Sequence, residues 1–203
     1  MNKIDSFRGE YEFLSNFSPS LVVVDGEIYA TIEHAFQAAK TDDPTLKTNI
    51  RNAATPKEAK RLGRSVQLIK DWDQRRLDVM ASLVNQKFDT HLDLKIKLLL
   101  TGDAELVEGN TWKDRYWGVT QDGVGENHLG KILMRTRDSL RAREGGALSV
   151  FYAFLNKNEL GFMGDKFKDA IDLLRKVLDD PNSSTLLDGW DSCQVTDLVE
   201  SLK

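Results

Sequence analysis

The rhythm of apolar and polar positions changes several times along the chain, and each change marks an element. LVVVDGEIYA at 21–30 joins a β-branched run to a second short apolar stretch through Asp25-Gly26, the pattern of a two-stranded hairpin with a two-residue turn. TIEHAFQAAK at 31–40 then takes up helical spacing, with Thr31 as N-cap and three alanines keeping one side slim. TPKE at 55–58 supplies an N-cap, a proline at the first helical position and a glutamate closing a capping box, which predicts a helix running to about Gly63. From near Asp73, Leu77, Met80, Val84 and Phe88 recur as the core face of another helix. Residues 92–101 predict a short helix ended by Gly102, and AELVEG at 104–109 predicts a strand.

Periodicity stops between Asn110 and Glu126, in NTWKDRYWGVTQDGVGE, a stretch too rich in large aromatics for a mere linker. It resumes after Asn127, read as an N-cap, with Leu129, Ile132, Leu133, Thr136 and Leu140 on one face. Gly145-Gly146 break the chain. Beyond them two or three further helices are expected, one carrying Phe167, Ile171, Leu174 and Leu178, with the loop PNSS between.

Composition narrows the function classes. The 203 residues can bury a good core, and the polar start MNKIDSFRGE has no signal-peptide centre. No apolar run approaches the ~20 residues of a membrane span, so no membrane partner is expected. Cys193 alone cannot form an internal disulfide, and His34, His91 and His128 lie in separate segments, so no metal site can be written and a reducing cytoplasm is the default. A net charge of −4 argues against a general nucleic-acid coat. The basic stretch at 51–64, with Arg51, Lys57, Lys60, Arg61 and Arg64, reads first as a solvated helix face, and second as a phosphate or single-strand contact.

Three polar clusters carry candidate chemistry: FLSNFSP at 13–19, a row of Glu33, Gln37 and Lys40 at i, i+4 and i+7, and EGNTWKDRYWG with the later GEN at 125–127. For Glu33 and Lys40 taken singly, complementing the helix dipole is a sufficient explanation. Glu108 and Asp114 flank the aromatic loop, and paired acids near aromatics suit chemistry on a sugar, although Trp112 and Trp117 taken alone read as core. GVGEN lacks the Lys-Ser/Thr of a phosphate loop, no serine sits in G-x-S-x-G, and Cys193 lies far along the chain from every other candidate group.

The combination is more specific than its parts. SNF at 15–17, EHAFQAAK after the hairpin, then Asp114, Trp117-Gly118 and GENHLGKILM follow one another in three separated segments. Together they resemble the NADAR family of YbiA-like N-glycosidases linked to NAD and ADP-ribose, over about residues 7–143. The resemblance implies a compact α+β fold, predominantly helical with small β elements, over residues 1–144. It leaves 145–203 as a helical C-terminal extension, whose apolar faces are expected to pack on that domain.

It also implies cleavage of an N-glycosidic bond between a phosphorylated ribose and a base, with no cofactor. Two substrate classes follow: ribosylamino-pyrimidine phosphates of riboflavin synthesis, and ADP-ribose on guanine in nucleic acid. Glu33 would act at the anomeric carbon, Gln37 would orient hydroxyls, and Lys40 would either trap the opened sugar as a Schiff base or bind phosphate. Asp114 completes the catalytic set. Ser15, Asn16, Trp112, Trp117, Gly118 and Asn127 would line the pocket, and Arg8 would hold an anion. A binding module for ADP-ribose or a nucleotide, and an interaction protein working through its C-terminal helices, are the competing classes.

Overall fold

Residues 2–143 are described here by a computed structural model. The helices expected within 148–203 lie outside the described residues. The described residues fall into two compact units, one of residues 2–94 with 103–136 and one containing residues 95–102 with 137–143.

The first unit opens with β1 (Lys3–Ile4) and a 3-10 helix (Gly9–Leu14), followed by β2 (Val22–Val24) and β3 (Glu27–Tyr29). The hairpin forms as its sequence predicts, with Val22 opposite Tyr29 and Val24 opposite Glu27. Asp25 and Gly26 both take positive φ, 53° and 81°, which a two-residue hairpin turn of matching twist requires.

Next comes α1 (Ile32–Ala38), seven residues long and buried at every position. Its cap is the expected one: Thr31 Oγ1 accepts from the His34 backbone N–H at 3.3 Å. The His34 ring then lies between Thr31 Oγ1 (2.8 Å from Nδ1) and the Ala53 carbonyl (3.1 Å from Nε2). A carbonyl only accepts, so in the neutral ring Nε2 carries the hydrogen. A helix this short is marginal alone; α1 persists because α2, α3 and α4 pack around it.

The segment after it differs from expectation in two ways. Lys40 lies beyond the helix end, in a turn where its N–H donates to the Gln37 carbonyl at 3.3 Å. An unexpected helix, α2 (Pro44–Arg51), follows, capped by Asp43, whose Oδ1 accepts from Thr45 and Leu46 N–H. Its apolar signal is weak because Ile50 is its one buried residue. The Asp-Pro start was its legible sign.

The capping box at 55–58 opens α3 (Pro56–Gly63), with Glu58 N–H donating to Thr55 Oγ1 at 3.1 Å; the returning Glu58 carboxylate accepts from Ala54 N–H. Then α4 (Trp72–Thr90) buries Met80, Val84 and Phe88 as predicted, with Leu77 half-buried. It also buries Lys87 completely, Nζ donating to the Ser15 carbonyl at 3.0 Å.

AELVEG is two short strands and not one. β4 (Glu105–Leu106) pairs in parallel with β1, and β5 (Gly109–Asn110) pairs in parallel with β6 (Val119–Thr120). The break falls where Gly109 N–H turns back to the Val107 carbonyl. Gly109 also passes so close to Asp5 that a Cβ there would meet the Asp5 carbonyl oxygen at 2.2 Å.

Two helices carry residues of both units, α5 (Leu92–Leu100) and α6 (His128–Arg143). The face predicted for α6 is buried at Leu129, Ile132, Leu133, Thr136 and Leu140. Within the second unit, buried Arg137 donates to Thr101 Oγ1 at 2.7 Å. No described helix is long and apolar enough to cross a membrane.

Candidate active site

The site is assembled on one side of α1. Gln37 Nε2 donates to Glu33 Oε1 at 2.8 Å, one turn apart, and both side chains are buried. Lys40 continues the row past the helix end, its Nζ 3.4 Å from the Gly63 carbonyl. Gly63 is what lets α3 come so near, because a Cβ there would stand 2.1 Å from Gln37 Oε1. The 15–17 segment closes the other end: the Asn16 carbonyl accepts from Glu33 N–H at 3.1 Å, and Ser15 Oγ accepts from Phe17 N–H. Asn16 Nδ2 reaches only Met80 Sδ, and its Oδ1 is buried without a hydrogen-bond partner.

A second acid approaches from the loop around β5. Glu108 is clamped through its backbone: its N–H donates to Asn127 Oδ1 at 3.0 Å, and its carbonyl accepts from Val119 N–H at 2.8 Å. Gly118 lies against it, where a Cβ would meet the Glu108 carbonyl oxygen at 2.1 Å and its Cγ at 2.9 Å. Asp114 Oδ1 accepts from Tyr116 and Trp117 N–H, and Asn110 ties the Asp114 backbone at both ends. Trp117 in turn packs edge-on against Phe36 of α1, ring centres 5.4 Å apart, so the loop is held to the helix that carries Glu33.

Charges complete the arrangement. Burial pushes the Glu33 carboxyl above its usual range, while Lys60, the Gln37 amide, Lys40 and His34 pull it back. Burial lowers the Lys40 ammonium, with Lys60 and Arg64 reinforcing the shift and Glu33 opposing it. Glu108 is pushed up to about 7, by burial first and then by Asp114, with Glu33 adding and Lys60 and Arg8 opposing. Glu33, Glu108, Asp114, Lys40, Lys60 and Arg8 therefore form one electrostatic neighbourhood, in which burial raises Glu33 and Glu108 and lowers Lys40, as is common at functional sites. Among the described residues no group of three or more His, Cys, Asp or Glu could hold a metal ion.

The NADAR domain matches residues 5–141 of the chain. This protein belongs to the NADAR family. Among its relatives, an N-glycosidase of Nostoc punctiforme is 43% identical over 136 residues, 64% of this chain and 86% of that one. The N-glycosidase YbiA of Escherichia coli is 40% identical over 137 residues, 66% of this chain and 85% of that one. The solution structure of E. coli YbiA superposes with a TM-score of 0.63 at 37% identity, covering 71% of this chain and 89% of that one. A riboflavin biosynthesis protein of Vibrio vulnificus is 40% identical over 131 residues, 64% of this chain but 35% of its own length. The α+β, predominantly helical architecture is thus that of the NADAR fold.

Within this NADAR fold the sequence-predicted residues separate by what they do. Glu33, Gln37 and Lys40 come together, and Asp114 stands in the electrostatic field of Glu108. The Asn127 side chain does not cap α6 as expected. The residue has a positive φ of 53°, and its amide is committed to Glu108 N–H and the Leu106 carbonyl. Gly118 has a packing reason in the close approach of Glu108. Trp112 is 52% exposed, which disagrees with the core reading of that residue, whereas Trp117 is half-buried among aromatics. Arg8 is exposed, yet Glu108 feels its charge.

Lys60 is the site residue that pattern alone did not single out. Of the basic stretch, Lys57, Arg61 and Arg64 are exposed as a solvated face, while half-buried Lys60 turns in toward Glu33 and Glu108 and lies 5.5 Å from the centre of the Phe17 ring. Its legible sign was the capping box, which sets the phase of α3 so that Ala59 and Gly63 face inward beside it. A cavity of about 460 Å³ lies by the alanine side of α1, lined by Ala35, Ala38, Ala39, Tyr29, Lys47 and Arg75 among others. None of the predicted site residues lines it, and the coupled acids and amines favour the Glu33 side for chemistry.

Proposed function

We propose that the protein is an N-glycosidase that hydrolyses the bond between C1′ of a phosphorylated ribose and a nitrogenous base. The observation that carries this reading is the buried Glu33, hydrogen-bonded to Gln37 and electrostatically tied to two lysines on different elements. A pure binder needs phosphate donors and shape; an acid held in a dry row with a neutralising amine suits bond cleavage. The names of the Nostoc and E. coli relatives point the same way.

In the proposed reaction the C1′–N bond breaks as positive charge develops on the ribose, and the Glu33 carboxylate faces that charge. Its burial makes the interaction strong at the cost of raising the carboxyl, and Lys60, the Gln37 amide and Lys40 offset part of that cost. Water supplies the hydroxyl at C1′ and gives up a proton to Glu33. Lys40, whose burial favours the free amine, can instead attack C1′ as the base leaves; the C1′–O4′ bond then opens, O4′ takes the proton shed by the lysine nitrogen, and the sugar is held as an imine that water releases. Lys60, Arg64 and Arg8, and Lys40 where it stays an ammonium, are cations available to the phosphate.

A ribosylamino-pyrimidine phosphate is the preferred substrate, because relatives in Vibrio vulnificus and Zea mays are named for riboflavin biosynthesis. ADP-ribose on guanine is the second class and is decided by the same experiment. Purified protein and its Glu33→Gln variant are mixed with each substrate, and products are read by mass spectrometry. Release of ribose phosphate from the pyrimidine by wild type alone supports the reading, release of ADP-ribose from an oligonucleotide moves it to the second class, and no product from either overturns it. Trapping with borohydride during turnover, with the adduct mapped to Lys40 and absent in Lys40→Arg, distinguishes the imine route from phosphate binding.

A further inference from the structure

Either route to C1′ leaves one requirement unmet. The departing base nitrogen carries away the electron pair of the broken bond and needs a proton, and neither the Glu33 carboxylate nor the free Lys40 amine brings one. We propose that Glu108 is the acid that delivers this proton, a role that rests on the N-glycosidase reading above. The proton passes from the Glu108 carboxyl to the leaving nitrogen as C1′–N breaks. Water restores the balance by adding hydroxyl to C1′ and returning its proton to the protein.

Three features of the geometry support the assignment. Glu108 Oε2 is buried and has no hydrogen-bond partner, so ionising it there forfeits solvation with no hydrogen bond in exchange. The residue is fixed from both sides of its peptide backbone, by Asn127 and Val119, while Gly118 clears a path for its side chain. This is a costly way to hold a carboxyl unless its position matters.

The charges around it set it apart from Glu33. Asp114 from the aromatic loop and Glu33 from α1 disfavour a second negative charge, and Lys60 from α3 with Arg8 ahead of the 3-10 helix only partly offset them. Burial raises Glu33 as well, but two lysines and the Gln37 amide donor at 2.8 Å favour its ionised form. Two carboxyls in one site, one accepting a hydrogen bond among cations and one with a buried oxygen left without a donor, fit the usual division between a base and an acid.

The test compares leaving groups. Glu108→Gln keeps the shape and neutrality of the protonated acid, so it is expected to fold, and cooperative thermal unfolding checks that it does. With the ribosylamino-pyrimidine phosphate, its kcat/KM is expected to fall on the order of 10²- to 10⁴-fold. With 4-nitrophenyl β-ribofuranoside 5-phosphate, whose phenolate leaves without protonation, the loss is expected to be roughly tenfold or less, within the span of an altered but intact site. Wild type is expected to lose kcat/KM above about pH 7 with the pyrimidine, and the variant to lack that alkaline limb.

Equal losses on both substrates, or no loss on either, overturn the proposal. Glu33→Gln, by contrast, is expected to lose activity on both. Wild type that cleaves neither overturns the N-glycosidase reading and the role of Glu108 with it. If Glu108→Gln does not fold, Glu108→Asp takes its place, with retention of the alkaline limb expected; isotope-edited infrared spectra of wild type must also show a protonated glutamate carboxyl titrating near pH 7. Absence of that band overturns the proposal without any substrate.

Discussion

Gln37 Nε2 donates to Glu33 Oε1 at 2.8 Å, and Gln37 Oε1 sits where a Cβ on Gly63 would be 2.1 Å away. The amide is therefore wedged between the acid it serves and the backbone of α3. Adding one methyl group at Gly63 must push it. Gly63→Ala is expected to destabilise the fold by roughly 1–3 kcal/mol, the usual cost of overpacking, and to lower turnover through loss of the Glu33 contact. Urea unfolding and kcat measured together check this; wild-type values in both would mean that α1 and α3 pack more loosely than described.

Glu33→Gln removes the ionisable group but keeps its shape. Turnover is expected to fall on the order of 10²- to 10⁴-fold. Stability should move the other way at high pH. Glu33 is raised above its ordinary value, so its contribution is present below the unfolded-state value and is lost as pH rises through the folded one. Thermal unfolding of both proteins at pH 5 and pH 8 should show the variant gaining on wild type at pH 8.

Lys87 titrates in the reverse sense. It is a buried ammonium pushed down to about 7 by burial, with the Ser15 carbonyl as acceptor. Between about pH 7 and its unfolded value of 10.5 the unfolded chain holds a proton that the folded chain has shed, so wild-type stability rises with pH across that window. Lys87→Met is expected to unfold at higher urea than wild type near pH 7. That advantage should shrink or reverse toward pH 10, where the lost hydrogen bond, about 1 kcal/mol, is what remains.

Asp114 has a structural job and an electrostatic one, and two variants separate them. Asp114→Asn can still accept from Tyr116 and Trp117 N–H, so the loop is expected to survive. Removing the charge beside Glu108 should then move the alkaline limb of kcat/KM to lower pH. Asp114→Ala loses the acceptor as well and is expected to cost a further 1–3 kcal/mol of stability. pH profiles and denaturation of the pair check both parts; an unmoved limb in Asp114→Asn would remove Asp114 from the field of Glu108.

Much of the local structure was legible in the residues. Asp25-Gly26 turns a hairpin because both positions must take positive φ, Thr31 and Thr55 start helices because a hydroxyl three residues back satisfies a free N–H, and the apolar face of α4 follows from spacing. These are decided by neighbours within a turn or two, so the sequence by itself determines them. The single strand expected over 104–109 failed for the complementary reason: its two halves pair with β1 and β6, far apart in the chain.

The site belongs to that second kind. The row of Glu33, Gln37 and Lys40 could be read off helical spacing, but not whether it faced water or core. Lys60 joined it only because α3 docks on α1 through a glycine, while Lys57 three residues earlier stayed in solvent. Asn127 looked like a cap and instead spends its amide on the backbone at 106–108. Tertiary structure decided these points because burial and long-range placement determine which charges a group loses to solvent and which it meets, and neither is a property of local spacing.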